Sequence, residues 1–243
     1  MHALLRGIRA AVVFLTRVPV GGFPYTTEEW RWATAHFPLV GALVGAASAV
    51  VWMLAAPAGS TAQAILALAA SMMLTGGFHE DGLADTADAL GGAYTRERVL
   101  DILKDSRIGV FGALALLVSV VLRVALLVQL GEGAPLALVL SHGVARTPPI
   151  WLMRALPYVT RDAAAKSRLL TRAGTPQLVV ASLWCGLLLL LVPASAWTIV
   201  MVLAVATVIC GWRFRARTGG ITGDFLGAME QIGEVLVLLV LAT

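Results

Sequence analysis

Stretches of roughly 20 apolar residues recur along this 243-residue chain, and no other feature restricts its fold so strongly. A helix of that length crosses the hydrocarbon core of a bilayer, about 30 Å thick. Candidate spans cover residues 38–58, 61–78, 109–130, 135–153, 177–192, 197–212 and 225–242. The fifth and sixth are short, which allows tilting or a re-entrant joint between them. Within hydrocarbon every backbone polar group needs an internal partner, so the predicted class is all-α, a polytopic membrane helical bundle of about seven transmembrane helices. Ahead of them, Arg6, Arg9 and the apolar run to Leu15 read as an N-terminal interfacial helix that snorkels its arginines. Arg17 cuts that run short and no clear small-residue cleavage site follows, so a cleaved signal peptide is not expected. A single integral membrane domain over 1–243, with an acidic cytoplasmic loop at 79–109, accounts for the whole chain.

Charge supports the same reading. Only 13% of residues are charged and the mean hydropathy is +0.86, too few charges to cover a water-facing surface. With the N-terminus placed in the cytoplasm, all of the 18 Lys and Arg residues except Arg123 and Arg146 fall on the cytoplasmic side. The net charge of +4 is therefore read as a topology signal and not as a nucleic-acid footprint. Arg123 and Arg146 lie inside proposed spans, as do Glu230 and Glu234. Carboxylates at that depth must face the bundle interior, where these four residues are expected to pair. His142 reads as a packed helix residue. Cys185 and Cys210 sit in apolar runs and read as small packing residues, not as a disulfide or metal pair.

Half of the chain's 14 acids fall between positions 80 and 105. Asp81, Asp85 and Asp88 are spaced i, i+4, i+7, so on a helix they share one face. At a separation of about 5 Å and an effective dielectric near 20, each like-charge pair costs about 3 kcal/mol. Protonation, nearby basic side chains or a cation must offset that cost. Hard oxygen ligands suit Mg²⁺, Mn²⁺ or Ca²⁺ better than zinc. A solvated acidic helix face is the plain alternative. Against it, Asp101 and Asp105 follow on one helical face with Lys104, Ser106 and Arg107 beside them. Carboxylates for a metal next to cations for phosphate oxygens make the equipment of phosphoryl transfer.

The run from His79 through Asp88, followed by Lys104-Asp105-Ser106-Arg107-Ile108-Gly109, closely resembles the cobalamin synthase (adenosylcobinamide-GDP ribazoletransferase) family. Phe14 to Pro19, Leu156-Pro157-Tyr158 and Gly219 to Ala228 resemble further signatures of that family, so the likeness covers nearly the whole chain. Ala89 stands where the family commonly has glycine, and Ser141 to Arg146 is looser than its usual pattern. The resemblance implies a multi-pass enzyme of a bacterial inner membrane acting late in cobalamin assembly. It would join α-ribazole or its 5′-phosphate to adenosylcobinamide-GDP, release GMP and use Mg²⁺.

In that light Asp81, Asp85 and Asp88, with Glu80 and Asp224, are the expected metal ligands. Lys104 and Arg107 are expected on diphosphate oxygens and Asp105 as proton acceptor. His79, Ser106, Arg146 and Thr222 are expected substrate contacts, with Asp224 also placed to cap the last helix. The expected partners are the two substrates and the lipid bilayer, without nucleic acid, and a homo-oligomer is allowed. Two other classes compete. A secondary transporter would use Arg123, Arg146, Glu230 and Glu234 as an ion relay, but the acids concentrate in a loop and no repeat is visible. A membrane anchor without chemistry leaves the acidic cluster unexplained.

Overall fold

Glycines and prolines in the sequence become the ends of helices in the computed structural model, which describes residues 2–159 and 173–243. Twelve helices occur among the described residues: α1 (His2–Leu15), α2 (Thr27–Ala33), α3 (Phe37–Leu54), α4 (Ser60–Thr75), α5 (Phe78–Gly92), α6 (Arg96–Ile102), α7 (Val110–Leu130), α8 (Ala134–Val144), α9 (Thr147–Ala155), α10 (Thr175–Leu189), α11 (Pro193–Thr218) and α12 (Gly223–Leu241). Short 3-10 turns join several of them. One isolated bridge, between Tyr158 and Ile221, is the only extended pairing among those residues. The chain is a membrane helical bundle.

By length and apolarity, three helical stretches can cross a membrane: Thr27–Leu54, Val110–Ala155 and Pro193–Thr218. The second runs to 46 residues. Drawn straight it would reach about 70 Å, more than two bilayer cores. It is interrupted at Gly131–Gly133, and α7 and α8 pack on each other as well as on α12. A fourth candidate is the pair α4 and α5, bent by 91°. The remaining expected spans fail the same test singly. The α10 helix has 15 residues, and α12 carries Asp224, Glu230 and Glu234.

Three expectations need correction. The span expected at 135–153 is broken, because Pro148 and Pro149 open α9 and a proline cannot continue the hydrogen bonding of the turn before it. The span expected at 197–212 is longer, extending to Thr218 with Arg213, Arg215 and Arg217 on the helix instead of in a loop. Long basic side chains reach water from a helix end, so the charges did not have to stop the helix. The N-terminal arginines are also not simply snorkelling. Arg6 pairs with Glu29 of α2 at 3.0 Å and donates to Gly22 O, while Arg9 donates to Val20 O. The expected basic residues Arg161, Lys166, Arg168 and Arg172 lie outside the described residues.

Packing follows the logic of helices in lipid, where small residues allow backbones to approach. Gly41 and Gly45 on α3 face the backbone of α8, and a Cβ on either would run into the carbonyl oxygens of His142 or Leu138. On α12, Gly233 meets Ala145, and Gly227 meets the backbone of His79. The α12 helix is buried along most of its length and contacts α5, α7, α8, α9 and α11. It is the central post against which the acidic helix α5 is set.

Candidate functional site

The acidic stretch begins at an elbow. Gly76 and Gly77 both adopt left-handed backbone, with φ of 80° and 71°, which side-chain-bearing residues rarely adopt. The Arg17 guanidinium lies over Gly76, and Arg17 N donates to Leu74 O, so the N-terminal segment is packed onto the elbow. After the turn the chain runs as α5, roughly at right angles to α4. Three contacts hold it. Gly82 packs on the Asp224 backbone of α12. Asp88 accepts from Gly109 N at 2.7 Å and from Gly112 N at 2.9 Å, capping the start of α7. Arg217 of α11 donates to Leu90 O at 3.0 Å and to Ala93 O, capping the carbonyl end of α5 where a cation is favoured. What was expected as a loop at 79–109 is thus two helices, α5 and α6, and a turn.

Asp81, Asp85, Asp88 and Asp224 are brought together. Burial, and then the charges of Asp81, Asp224 and Asp88, push the Asp85 carboxyl up to about 7. Asp224 is also raised, by burial first, although its hydrogen bond with Thr222 opposes the shift. Asp224 does not cap α12 as expected. Thr222 does, its hydroxyl accepting from Phe225 N at 3.3 Å, because the N-cap position falls two residues earlier. The cluster has oxygen donors only, the donor type a hard divalent cation takes, but its carboxylate oxygens do not gather as closely as the ligand atoms of His142, Glu230 and Glu234, so a bound cation would have to draw them together.

Glu80 and His79 turn elsewhere. Glu80 approaches Arg123 of α7 at 3.5 Å, and Arg123 pairs with Glu234 of α12 at 2.9 Å. Arg146 pairs with Glu230 at 2.8 Å and lies 3.7 Å from Glu234. His142 Nδ1 sits against Glu234 Oε1, and His79 is 3.9 Å from Glu230. His142 is thus a member of the ion network and not only a packing residue. Arg123 is 0% and Arg146 2% exposed. The expected pairing of the four buried charges is what the structure contains, tying α5, α7, α8 and α12 into one unit. His142, Glu230 and Glu234 also lie close enough together for a metal. Two guanidiniums already occupy that position, so the group reads as an ion-pair network.

The segment at 104–107 stands apart. Asp105 forms a two-pronged pair with Arg107, with contacts of 2.6 and 2.9 Å, on an exposed turn. That bond holds the Asp105 carboxyl down at about 2. Lys104 and Ser106 are exposed beside it. The turn reaches the aspartates through the chain itself, since Gly109 donates to Asp88.

Next to the aspartates a chamber of about 220 Å³ opens between the ends of α1, α3, α5, α9 and α12. Its lining combines the polar residues His79, Asp81, Arg146, Asp224 and Glu230 with the rings of Phe14, Phe37 and Phe78, and Phe78 lies against the His79 ring with centroids 3.8 Å apart. Phe14 stacks on Phe37 with centroids 5.6 Å apart and meets Phe78 edge-on at 6.1 Å. Distant motifs also meet here: Val159 N donates to Ile221 O at 2.8 Å and Ile221 N to Pro157 O at 2.9 Å, so the segment 156–158 is paired with 219–222 at the start of α12. Sequence reasoning missed the phenylalanine wall and the Arg217 cap. Phe14 carried a faint signal in the run Phe14 to Pro19. Arg217 looked like one more topology charge.

Comparison with known proteins shows the family of the chain. The family model described as cobalamin-5-phosphate synthase matches residues 7–242. A protein of Leptothrix cholodnii named adenosylcobinamide-GDP ribazoletransferase is 43% identical, with 98% of this chain and 97% of that protein covered. Proteins of the same name from Polaromonas sp. and Vibrio cholerae are each 39% identical, covering 96% and 95% of this chain and 94% and 91% of their own lengths. No solved structure matches the chain.

Proposed function

The chain belongs to the cobalamin-5-phosphate synthase family, and from that premise we propose that its carboxylate cluster is the centre at which adenosylcobinamide-GDP is joined to α-ribazole or α-ribazole 5′-phosphate. The products are adenosylcobalamin or its 5′-phosphate, and GMP. The ribose hydroxyl of the acceptor attacks the phosphorus nearer cobinamide, the bond to the GMP phosphate breaks, and the hydroxyl proton is lost. The observation that carries this reading is the proximity of Asp81, Asp224 and Asp88 to Asp85, whose carboxyl is raised to about 7 by burial and then by these neighbours.

Asp81, Asp85 and Asp224 would hold Mg²⁺, with Asp88 contributing whatever lone pairs its cap on α7 leaves free. Bound there, the ion supplies charge neutralisation for the diphosphate and acidifies a hydroxyl close to it. Arg146, already beside the chamber, and the exposed Lys104 and Arg107 are the cations for the remaining phosphate oxygens. His79 in the lining and Thr222, bonded to Asp224, would contribute polar contacts there, while Ser106 would meet the substrate from the exposed turn. Asp105 is a poor proton acceptor, because a carboxylate held near 2 by Arg107 has little affinity for a proton at neutral pH.

The basic residues that border the helices support a cytoplasmic position for this face by the positive-inside rule, in the inner membrane of a bacterium. The test is GMP release from adenosylcobinamide-GDP by purified protein in lipid, with and without α-ribazole, Mg²⁺ and a chelator. GMP formed only with both α-ribazole and Mg²⁺ supports the reading. GMP formation that ignores the chelator removes the metal, and no GMP under any condition removes the reaction.

A further inference from the structure

Asp81 and Asp224 account for part of the chamber's lining and leave the rings of Phe14, Phe37 and Phe78 without a role. Phe14 and Phe37 lie with their ring planes 5° apart, and Phe78 stands across Phe14 at 66°. Three rings from three helices meet beside a carboxylate cluster, at the mouth of a cavity of about 220 Å³. Sites for whole drug-sized ligands span about 300–1,000 Å³, so this one takes a fragment of that size class and no macrocycle. The corrin ring must stay outside. We infer that the chamber between the phenylalanine wall and the aspartates takes the planar azole base of the acceptor nucleoside.

This rests on the reaction proposed above and adds where one substrate sits. A flat heteroaromatic base gains from stacking on aromatic side chains without needing specific hydrogen bonds. Guanine, the other base in the reaction, carries several donors and acceptors on its edge. Of the polar groups in the lining, Arg146 and Glu230 are paired with each other at 2.8 Å and Asp81 and Asp224 face the diphosphate in the reaction proposed above, while Leu15, Met153 and Leu226 beside the rings offer no side-chain partner, and burying unpaired polar atoms opposes binding. An azole has fewer such atoms to leave unpaired. With the base against Phe14 and Phe37, the attached ribose points to the rim formed by Asp81 and Asp224, where its hydroxyl must react. The guanosine end then lies on the open side of the aspartates, from which GMP can leave.

The test uses full-length protein in lipid nanodiscs, with each substrate varied at saturation of the other. Phe14→Leu and Phe37→Leu keep apolar volume and remove the ring. Each is expected to raise KM for α-ribazole by roughly tenfold, with KM for adenosylcobinamide-GDP within about twofold. The reverse pattern, or two unchanged KM values, overturns the inference. An azido-substituted α-ribazole, photo-crosslinked to the unaltered protein, provides a second readout. Its label should map to peptides holding Phe14, Phe37 or Phe78 and be displaced by α-ribazole, but not by GMP or added phospholipid. Labelling elsewhere, or displacement by GMP or lipid, overturns it. If the unaltered protein releases no GMP, the proposed reaction fails, while the crosslink still decides whether the chamber holds an azole nucleoside.

Discussion

A carboxyl at position 85 keeps its proton up to about pH 7, because burial and three neighbouring carboxylates disfavour its charge. The folded value lies above the ordinary 3.8, so the folded chain binds more protons than the unfolded one between these limits. The resulting stability is fully present below the ordinary value and is lost as pH rises to about 7. Chelated protein should therefore have a higher thermal midpoint at pH 5 than at pH 7.5, and Mg²⁺ should close the gap at pH 7.5. The substitution Asp85→Asn should flatten the pH slope of the chelated protein and lower turnover by roughly a hundredfold or more. A steep slope that survives the substitution would place the titrating group elsewhere. For Asp105 the expectation is the opposite. Already held by Arg107, it should tolerate replacement by Asn with less than about a tenfold loss in kcat, whereas a true general base costs about 10²–10⁴-fold.

At the scale of elements, the acidic helix α5 works because its ends are tied to other helices. Asp88 reaches the backbone of α7 only because positions 109 and 112 lack side chains. A Cβ at Gly112 would collide with the Asp88 carboxylate and come within 2.9 Å of Ala84 O. Gly112→Ala should therefore cost about 1–3 kcal/mol by overpacking and reduce activity with it, read as a lower thermal midpoint and turnover. At the opposite end, Arg217→Met keeps the apolar stem but leaves the carbonyls of Leu90 and Ala93 without this cap. The expected result is weaker Mg²⁺ dependence of the thermal midpoint with the bundle still folded. An unchanged Mg²⁺ response would show that α5 holds its place without the cap.

On the scale of the whole molecule, Arg123, Arg146, His142, Glu80, Glu230 and Glu234 form the polar centre of an otherwise apolar bundle. Removing one partner strands the other in a dry interior, at about 3–5 kcal/mol. Replacing both partners by neutral residues of similar shape removes that penalty. Arg146→Met and Glu230→Gln should each destabilise strongly, and the double variant should be less destabilised than the sum of the two. A double-mutant cycle on the detergent-solubilised protein measures this directly, and simple additivity would show that the pair is not coupled. Arg146 also lines the chamber and is proposed to meet phosphate oxygens, so the double variant should still lose activity where it recovers stability.

Several features were legible in the chain alone because they depend on local spacing or composition. Recurrent apolar runs required a helical membrane bundle, the i, i+4, i+7 aspartates required one charged helix face, and acids inside a span required buried cations as partners. The motif resemblance identified the family. Other features were set only by tertiary structure, since they join residues far apart in sequence. Arg217 looked like a topology charge until α11 was found to continue past it and to end on α5. Asp224 was open to two roles in sequence, metal ligand or helix cap, and Thr222 took the cap. Phe14 and Phe78 border motifs and Phe37 does not, but nothing in sequence links the three, and they come together only because ends of α1, α3 and α5 meet. Spacing encodes which residues share one helix face; which faces then meet is decided by the few close approaches that glycine allows and by the need to pair every buried charge.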